Sequence, residues 1–321
     1  MKKSMKKIIV LALSGLLVFM VSLVCGKPAG AADSGGKISV VTTIFPPYDF
    51  ARQVVGDKAD ITMLLRPSSE SHSFEPTPQD IIKIQNCDVF IYGGGESDEW
   101  VKGVLEAIGA PKMKIVTLMD CVEVVEEEIV EGMQEEEEEE GGEHEAEYDE
   151  HVWTSPRNAK LIVQKISDTF CEVDAANADV YKSNAAACLE KLDKLDAAFK
   201  DAAAGAVRKT LVFGDRFPFR YFADAYGLSY FAAFPGCSTE TEASAATVAF
   251  LINKVRDEKI PVVFHIELSN ENIADTICEA TGAKKLLFHA CHNISRDDFQ
   301  RGATYLELMT ANVEALKQAL N

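Results

Sequence analysis

Six histidines stand at positions 72, 144, 151, 265, 289 and 292, and five of them fall in segments that read as loops or strand ends. An imidazole nitrogen is a borderline-soft donor suited to zinc, copper, iron and manganese, so histidines gathered from distant segments would make a divalent-metal site. His72 lies in RPSSESHSFEPTPQD, after a strand pattern and before a helix pattern, where prolines stiffen the backbone and pre-orient the ring. A loop histidine by itself is usually only polar surface. His151 lies in DEHVWTSPRNA, at the start of a long helical stretch, with Trp153 beside it to exclude water. Spacing does not bring these two rings together; only folding can.

Other chemistries are poorly supplied. The chain contains no HExxH, no G-x-S-x-G elbow and no phosphate-binding glycine loop. After Cys25, cysteines at 87, 121, 171, 188, 237, 278 and 291 show no CxxC pair, so neither a disulfide framework nor a thiolate zinc cluster is expected. Most read as small buried hydrophobes. The net charge is -19, yet sixteen carboxylates crowd between Glu123 and Glu150 with no Lys or Arg among them, so the acidity is local. No basic, aromatic-interleaved stretch suggests nucleic-acid binding.

The elements that must position the histidines follow from the pattern. Residues 1–25 begin with lysines and an apolar run, Ile8 to Val24, that is short for a membrane span and right for an export signal. It ends either at a lipid-bearing Cys25 or at the small-residue site Ala29-Gly30-Ala31, so the mature chain works outside the cytoplasm, membrane-anchored or secreted. Residues 37–155 alternate strand and helix: KISVVTTIF, PPYDFARQVVG, ADITMLLR, PQDIIKIQNC, DVFIYGG, EWVKGVLEAIG and MKIVTL. Residues 126–150 are low-complexity and glycine-broken, which predicts a mobile acidic loop inserted in that lobe. Residues 156–204 form a linking helical segment with Ser155 as N-cap, Pro156 at the first helical position and a break at Asp174. Residues 205–321 alternate again. The expected fold is α/β: two lobes, each with a mainly parallel sheet flanked by helices, joined by a long rigid backbone helix. The C-terminal strand edges, where the histidines cluster, face the crevice in which such folds bind ligands.

The motifs HSFEPTP, HVWTSPRNA, DEW before a helix and the ending GATYLELMTANVEALKQAL together resemble the zinc/manganese-type solute-binding proteins of ABC importers, over about Lys37 to Asn321. The resemblance implies one metal held between two lobes by about four side chains. By position, His72 and His151 match the two ligands of the first lobe. The third falls at Gly214, Asp215 or Arg216, of which Asp215 is the chemically able one, and the fourth at His289, with His292 three residues on as the alternate. Glu267 matches an acid near the site, as a ligand or as acceptor of a ring N–H that fixes a histidine tautomer. His265 would share its face, though it reads as a core histidine. Zn2+ is the expected bound solute, with Mn2+ or iron as the alternative, and a membrane ABC permease is the expected partner of a monomer that touches the membrane only through a lipid on Cys25. The acidic loop stands where relatives carry histidines, and it reads equally as a metal concentrator or a solvated spacer.

Two rivals from other classes stand beside this reading. A zinc metallohydrolase would use Glu267 as general base and needs an open coordination position. A surface adhesin would bind its target without metal. An importer component is not expected to be an enzyme.

Overall fold

The computed structural model describes residues 37–70, 73–109, 111–133, 147–238 and 242–321. The expected export signal, Cys25, His72 and His144 lie outside them. Among the described residues no helix is long and apolar enough to cross a membrane.

β-branched runs bounded by turn residues form the first sheet: β1 (Ile38–Thr42), β2 (Ala59–Met63), β3 (Val89–Tyr92) and β4 (Lys114–Thr117), all parallel in the order β2-β1-β3-β4. Helices α1 (Phe45–Val55), α2 (Pro78–Asn86) and α3 (Glu99–Ile108) make the crossovers. The start of α2 is fixed by a capping box, in which the Thr77 side chain accepts from the Asp80 amide and the Asp80 carboxylate accepts in return. The second sheet repeats the topology with β5 (Thr210–Phe217), β6 (Ser229–Pro235), β7 (Val262–His265) and β8 (Lys284–Leu287), in the order β6-β5-β7-β8. Its helices are α6 (Arg220–Tyr226), α7 (Ala245–Asp257) and α8 (Asn272–Thr281), numbered after the two linking helices α4 (Pro156–Val173) and α5 (Ala178–Ala204). A short α9 (Arg296–Gln300) and the closing α10 (Tyr305–Leu320) end the chain.

The long α5, with 27 residues, spans about 40 Å at helical rise. It packs on α1 and α4 of one lobe and on α10 of the other. At the break between α4 and α5 the Asp174 carboxylate accepts from Tyr181 Oη at 2.7 Å and Asn177 Nδ2 at 2.6 Å, which closes the corner. Ser155 occupies the N-cap of α4 with extended backbone, but its side chain makes no capping bond. The turn before it is held instead by Thr154 Oγ1 donating to the His151 carbonyl at 2.8 Å.

Both switch points, β1 beside β3 and β5 beside β7, open toward one seam between the lobes. The seam is fastened by buried bonds. Trp153 Nε1 donates to the Ala290 carbonyl at 2.8 Å, Tyr305 Oη to the Trp153 carbonyl at 2.7 Å, and the Tyr305 amide to Asp49 at 2.8 Å. The Asn293 amide donates to the carbonyls of Arg66 at 2.9 Å and Ser69 at 2.7 Å, tying the chain after β2 to the opposite lobe.

The acidic segment is ordered at both ends. Glu126 pairs antiparallel with Tyr148, Glu127 N–H donates to the Glu147 carbonyl at 2.8 Å, and Asp149 N–H donates to the Val125 carbonyl at 3.0 Å. Residues 134–146 of that segment lie outside the description. The cysteines of the described residues are free thiols.

Candidate metal centre

The site is built from two imidazoles and an acid at the seam. His151 enters through the tight turn that precedes α4, completely buried. Asp149, two residues back, receives both its backbone N–H at 2.7 Å and its Nδ1 at 3.0 Å on one oxygen. That pairing fixes the tautomer with the proton on Nδ1, so Nε2 keeps the lone pair that a metal needs. Burial alone would lower the His151 pKa, but the Asp149, Glu150 and Glu127 carboxylates outweigh it and hold the pKa above its ordinary value.

Glu150 is held by Ser97, whose hydroxyl donates to one oxygen at 2.6 Å and whose backbone N–H donates to the other at 3.0 Å. Burial raises its pKa, against the lowering effect of His151 and Ser97. The carboxylate fits only because Gly95 has no side chain: a Cβ there would lie 2.5 Å from Glu150 Cβ, at a φ of +76° that glycine alone adopts readily.

His292 comes from the other lobe. The ring centroids of His151 and His292 are 5.1 Å apart, and those of Trp153 and His292 also 5.1 Å, each pair edge to face. One ligand atom from each of Glu150, His151 and His292 falls within 4.8 Å of the others, and all three residues are buried. Two imidazoles and a carboxylate at that spacing can hold one divalent transition ion, with zinc well matched to the set.

The other residues singled out from the sequence take different places. Asp215 is buried but not in this group: its oxygens accept the Arg216 N–H at 2.9 Å and the Ile266 N–H at 3.1 Å, joining β5 to the end of β7. Burial raises its pKa, and the Ser269 side chain and those two N–H groups oppose the rise. The register of β5 shifts between Phe213 and Arg216, and the next residue, Arg216, lines the cavity that His151 and His292 also line. His289 is also outside the group. Its Nδ1 accepts the Cys291 N–H at 2.9 Å, and its backbone is clamped by Asn312 through two 2.8 Å bonds. Cys291, between the two histidines, is left-handed with a φ of +60°; its N–H donates to the His289 ring, while the His292 ring meets that of His151. Glu267 supports the loop, accepting the Ala290 N–H at 2.7 Å and the His292 N–H at 2.8 Å. His265 Nδ1 lies 3.1 Å from the Ile266 carbonyl at the end of β7.

Glu150 was not singled out as a donor by sequence. Its signal was its position directly before His151, hidden because it also ends the glutamate-rich run.

Residues 40–319 match the family described as "Zinc-uptake complex component A periplasmic". The chain is 33% identical over 314 residues to the high-affinity zinc uptake system protein ZnuA of Bacillus subtilis strain 168, covering 96% of this chain and 97% of that protein. The crystal structure of the Zn(II)-bound ZnuA-like domain of Streptococcus pneumoniae AdcA superposes with a TM-score of 0.74 at 30% identity, over 89% of this chain and 99% of that one. The laminin-binding protein Lmb of Streptococcus agalactiae, described as bifunctional with adhesin and metal-transporting activity, gives a TM-score of 0.74 at 25% identity over 88% and 100% of the two chains.

Proposed function

Because the chain belongs to the zinc-uptake complex component A family, we propose that it captures a divalent transition metal, zinc first, outside the cytoplasm and delivers it to an ABC importer. The observation that carries this reading is the buried convergence of Glu150 and His151 from one lobe with His292 from the other. Those three are the proposed protein donors, and His72 is proposed as the fourth on its sequence motif. Asp215 and His289 are proposed as structural supports of the C-terminal lobe.

Zinc is favoured over manganese because imidazole is the softer donor and a tetrahedral set of mostly nitrogen ligands suits Zn2+. Transport rather than hydrolysis is supported by Glu267, whose two oxygens are engaged with backbone N–H groups and so are badly placed to act as a general base. The partner of the loaded protein is a membrane permease; a lipid on Cys25 and a monomeric state complete the proposal.

The test is a competition titration of zinc and manganese into the purified protein and its alanine variants. Zinc should bind at one site per chain, tighter than manganese, and should be lost from the His151→Ala and His292→Ala proteins. Unchanged zinc affinity in both variants would reject the site. Turnover of an ester, peptide or phosphate substrate by the zinc-loaded protein would reject the transport reading.

A further inference from the structure

We propose that Arg216 and Glu70 form a charged gate across the cavity leading to the metal centre, setting the rate at which the ion passes in either direction; this rests on the metal-capture reading above. Arg216 projects from β5 of one lobe, and Glu70 stands on the chain after β2 of the other. The guanidinium meets the carboxylate as a fork, Nη1 to Oε1 at 3.4 Å and Nη2 to Oε2 at 3.3 Å, and Nη1 also donates to the Ser238 carbonyl at 3.1 Å. Both side chains line the cavity that contains His151 and His292.

Arginine keeps its proton under all ordinary conditions and offers no lone pair, so Arg216 cannot be a donor to the ion. A fixed positive charge beside a cation site would repel the cargo unless neutralised, and Glu70 supplies the opposite charge. The arrangement is asymmetric: the Arg216 side chain is 11% exposed and that of Glu70 is 46% exposed, which puts the anion on the solvent side. An approaching dication attracts Glu70 and repels Arg216, so both forces loosen the pair as the ion arrives. A long, half-exposed ion pair is weak enough to yield. The pair lies outside the Glu150, His151 and His292 donor group, so breaking it acts on the path to those three donors.

The prediction is kinetic. Zinc association by stopped flow, and zinc release to an excess of chelator, are measured on the full chain and on the Glu70→Gln, Arg216→Met and Arg216→Lys variants. Both rates should rise together by about threefold to fivefold in the charge-neutral double variant Glu70→Gln/Arg216→Met, measured in the same way, so its affinity stays close to wild type; Glu70→Gln alone leaves Arg216 un-neutralised and should slow association, whereas Arg216→Met alone should speed it. Arg216→Lys should fall between wild type and Arg216→Met, because an ammonium cannot make the fork. The difference between Glu70→Gln and wild type should shrink as salt is raised, since screening weakens the repulsion by Arg216. Glu70 is the more exposed partner, so its variant keeps the test valid should Arg216→Met fold poorly.

Rates unchanged in Glu70→Gln overturn the gate, as does faster release alone with a matching loss of affinity in the double variant, which would make the pair a prop for the ligands. A His151→Ala protein that still binds zinc like wild type removes the metal-capture reading, and the gate with it. Loss of zinc from His151→Ala together with unchanged Glu70→Gln rates removes the gate alone.

Discussion

The two segments that meet at the seam use acids in opposite ways. On one side, residues 149–151 crowd carboxylates around an imidazole: Asp149 binds the His151 ring, Glu150 lies beside it, and Glu127 adds to the field. On the other side, residues 288–293 are organised by a single acid, Glu267, which is spent on backbone N–H groups and leaves the ring of His292 to the seam. The first segment tunes the electronics of one proposed donor; the second fixes the position of another. Equal residue types are therefore no guide to equal roles, because what an acid does depends on which polar groups the backbone has already brought to it.

The sharpest way to break this comparison is within the second segment. His292→Ala should lower zinc affinity by about a hundredfold or more, as expected for loss of a donor. His289→Ala should leave zinc affinity near wild type and instead lower unfolding free energy by about 1–3 kcal/mol, because the buried Cys291 N–H loses its acceptor. Titration and urea unfolding of the two variants decide it; the reverse pattern would assign the donor role to His289.

Next in size is Glu267→Gln. The amide keeps one acceptor oxygen for two N–H groups, so the loop loosens and zinc affinity should fall by about tenfold without loss of stoichiometry. An unchanged affinity would mean that the loop holds its shape without this acid.

The first segment is tested by pH. The folded pKa of His151 lies above its ordinary value, so proton competition begins at a higher pH than for a free histidine, and zinc affinity should fall as pH drops through that raised value. In the metal-free protein the same shift stabilises the fold when the ring is charged. That contribution is fully present below the unfolded pKa and is lost as pH rises through the folded one. Metal-free wild type should accordingly exceed His151→Gln in stability by more at pH 6 than at pH 9, as read by thermal unfolding. A pH-independent difference would mean that the acids around the ring do not charge it.

Asp98, whose charge couples to that of Glu150, offers a second test by pH. Burial pushes its carboxyl up to about 7, with the Gly94 N–H opposing the rise and the Glu150 charge adding to it. It accepts the Gly93 and Gly94 N–H groups at 2.8 and 3.1 Å, bonds that an amide oxygen can also accept. The cost of its charge is absent below the unfolded pKa and grows as pH rises toward the folded value. Asp98→Asn should therefore gain in melting temperature over wild type between pH 4 and 8, and a constant difference across that range would show that the group does not titrate in the fold.

Much of this was legible in the chain. Hydrophobic runs of strand length alternating with helical periodicity gave the two parallel sheets, and DEHVWTSPRNA marked His151 as a donor candidate. Asp215 has ligand chemistry and Arg216 does not, yet past the register shift in β5 it is the arginine that lines the cavity, while Asp215 accepts the Ile266 N–H. Between His289 and His292, equal in type and three residues apart, the difference lies in what each ring meets: the Cys291 N–H for the first, His151 for the second. Glu150 was lost in the glutamates that precede it.

Local pattern determined by itself which segments are strands and helices, because burial repeats with a period of about 2 or about 3.6 and leaves its mark in the order of residues. It also fixed the supply of donors and the absence of thiolate pairs. Only the tertiary structure decided which side chains share a point in space. That depends on backbone dihedrals at one or two residues and on which N–H groups claim each carboxylate, and both are settled when the two lobes pack against each other across the seam.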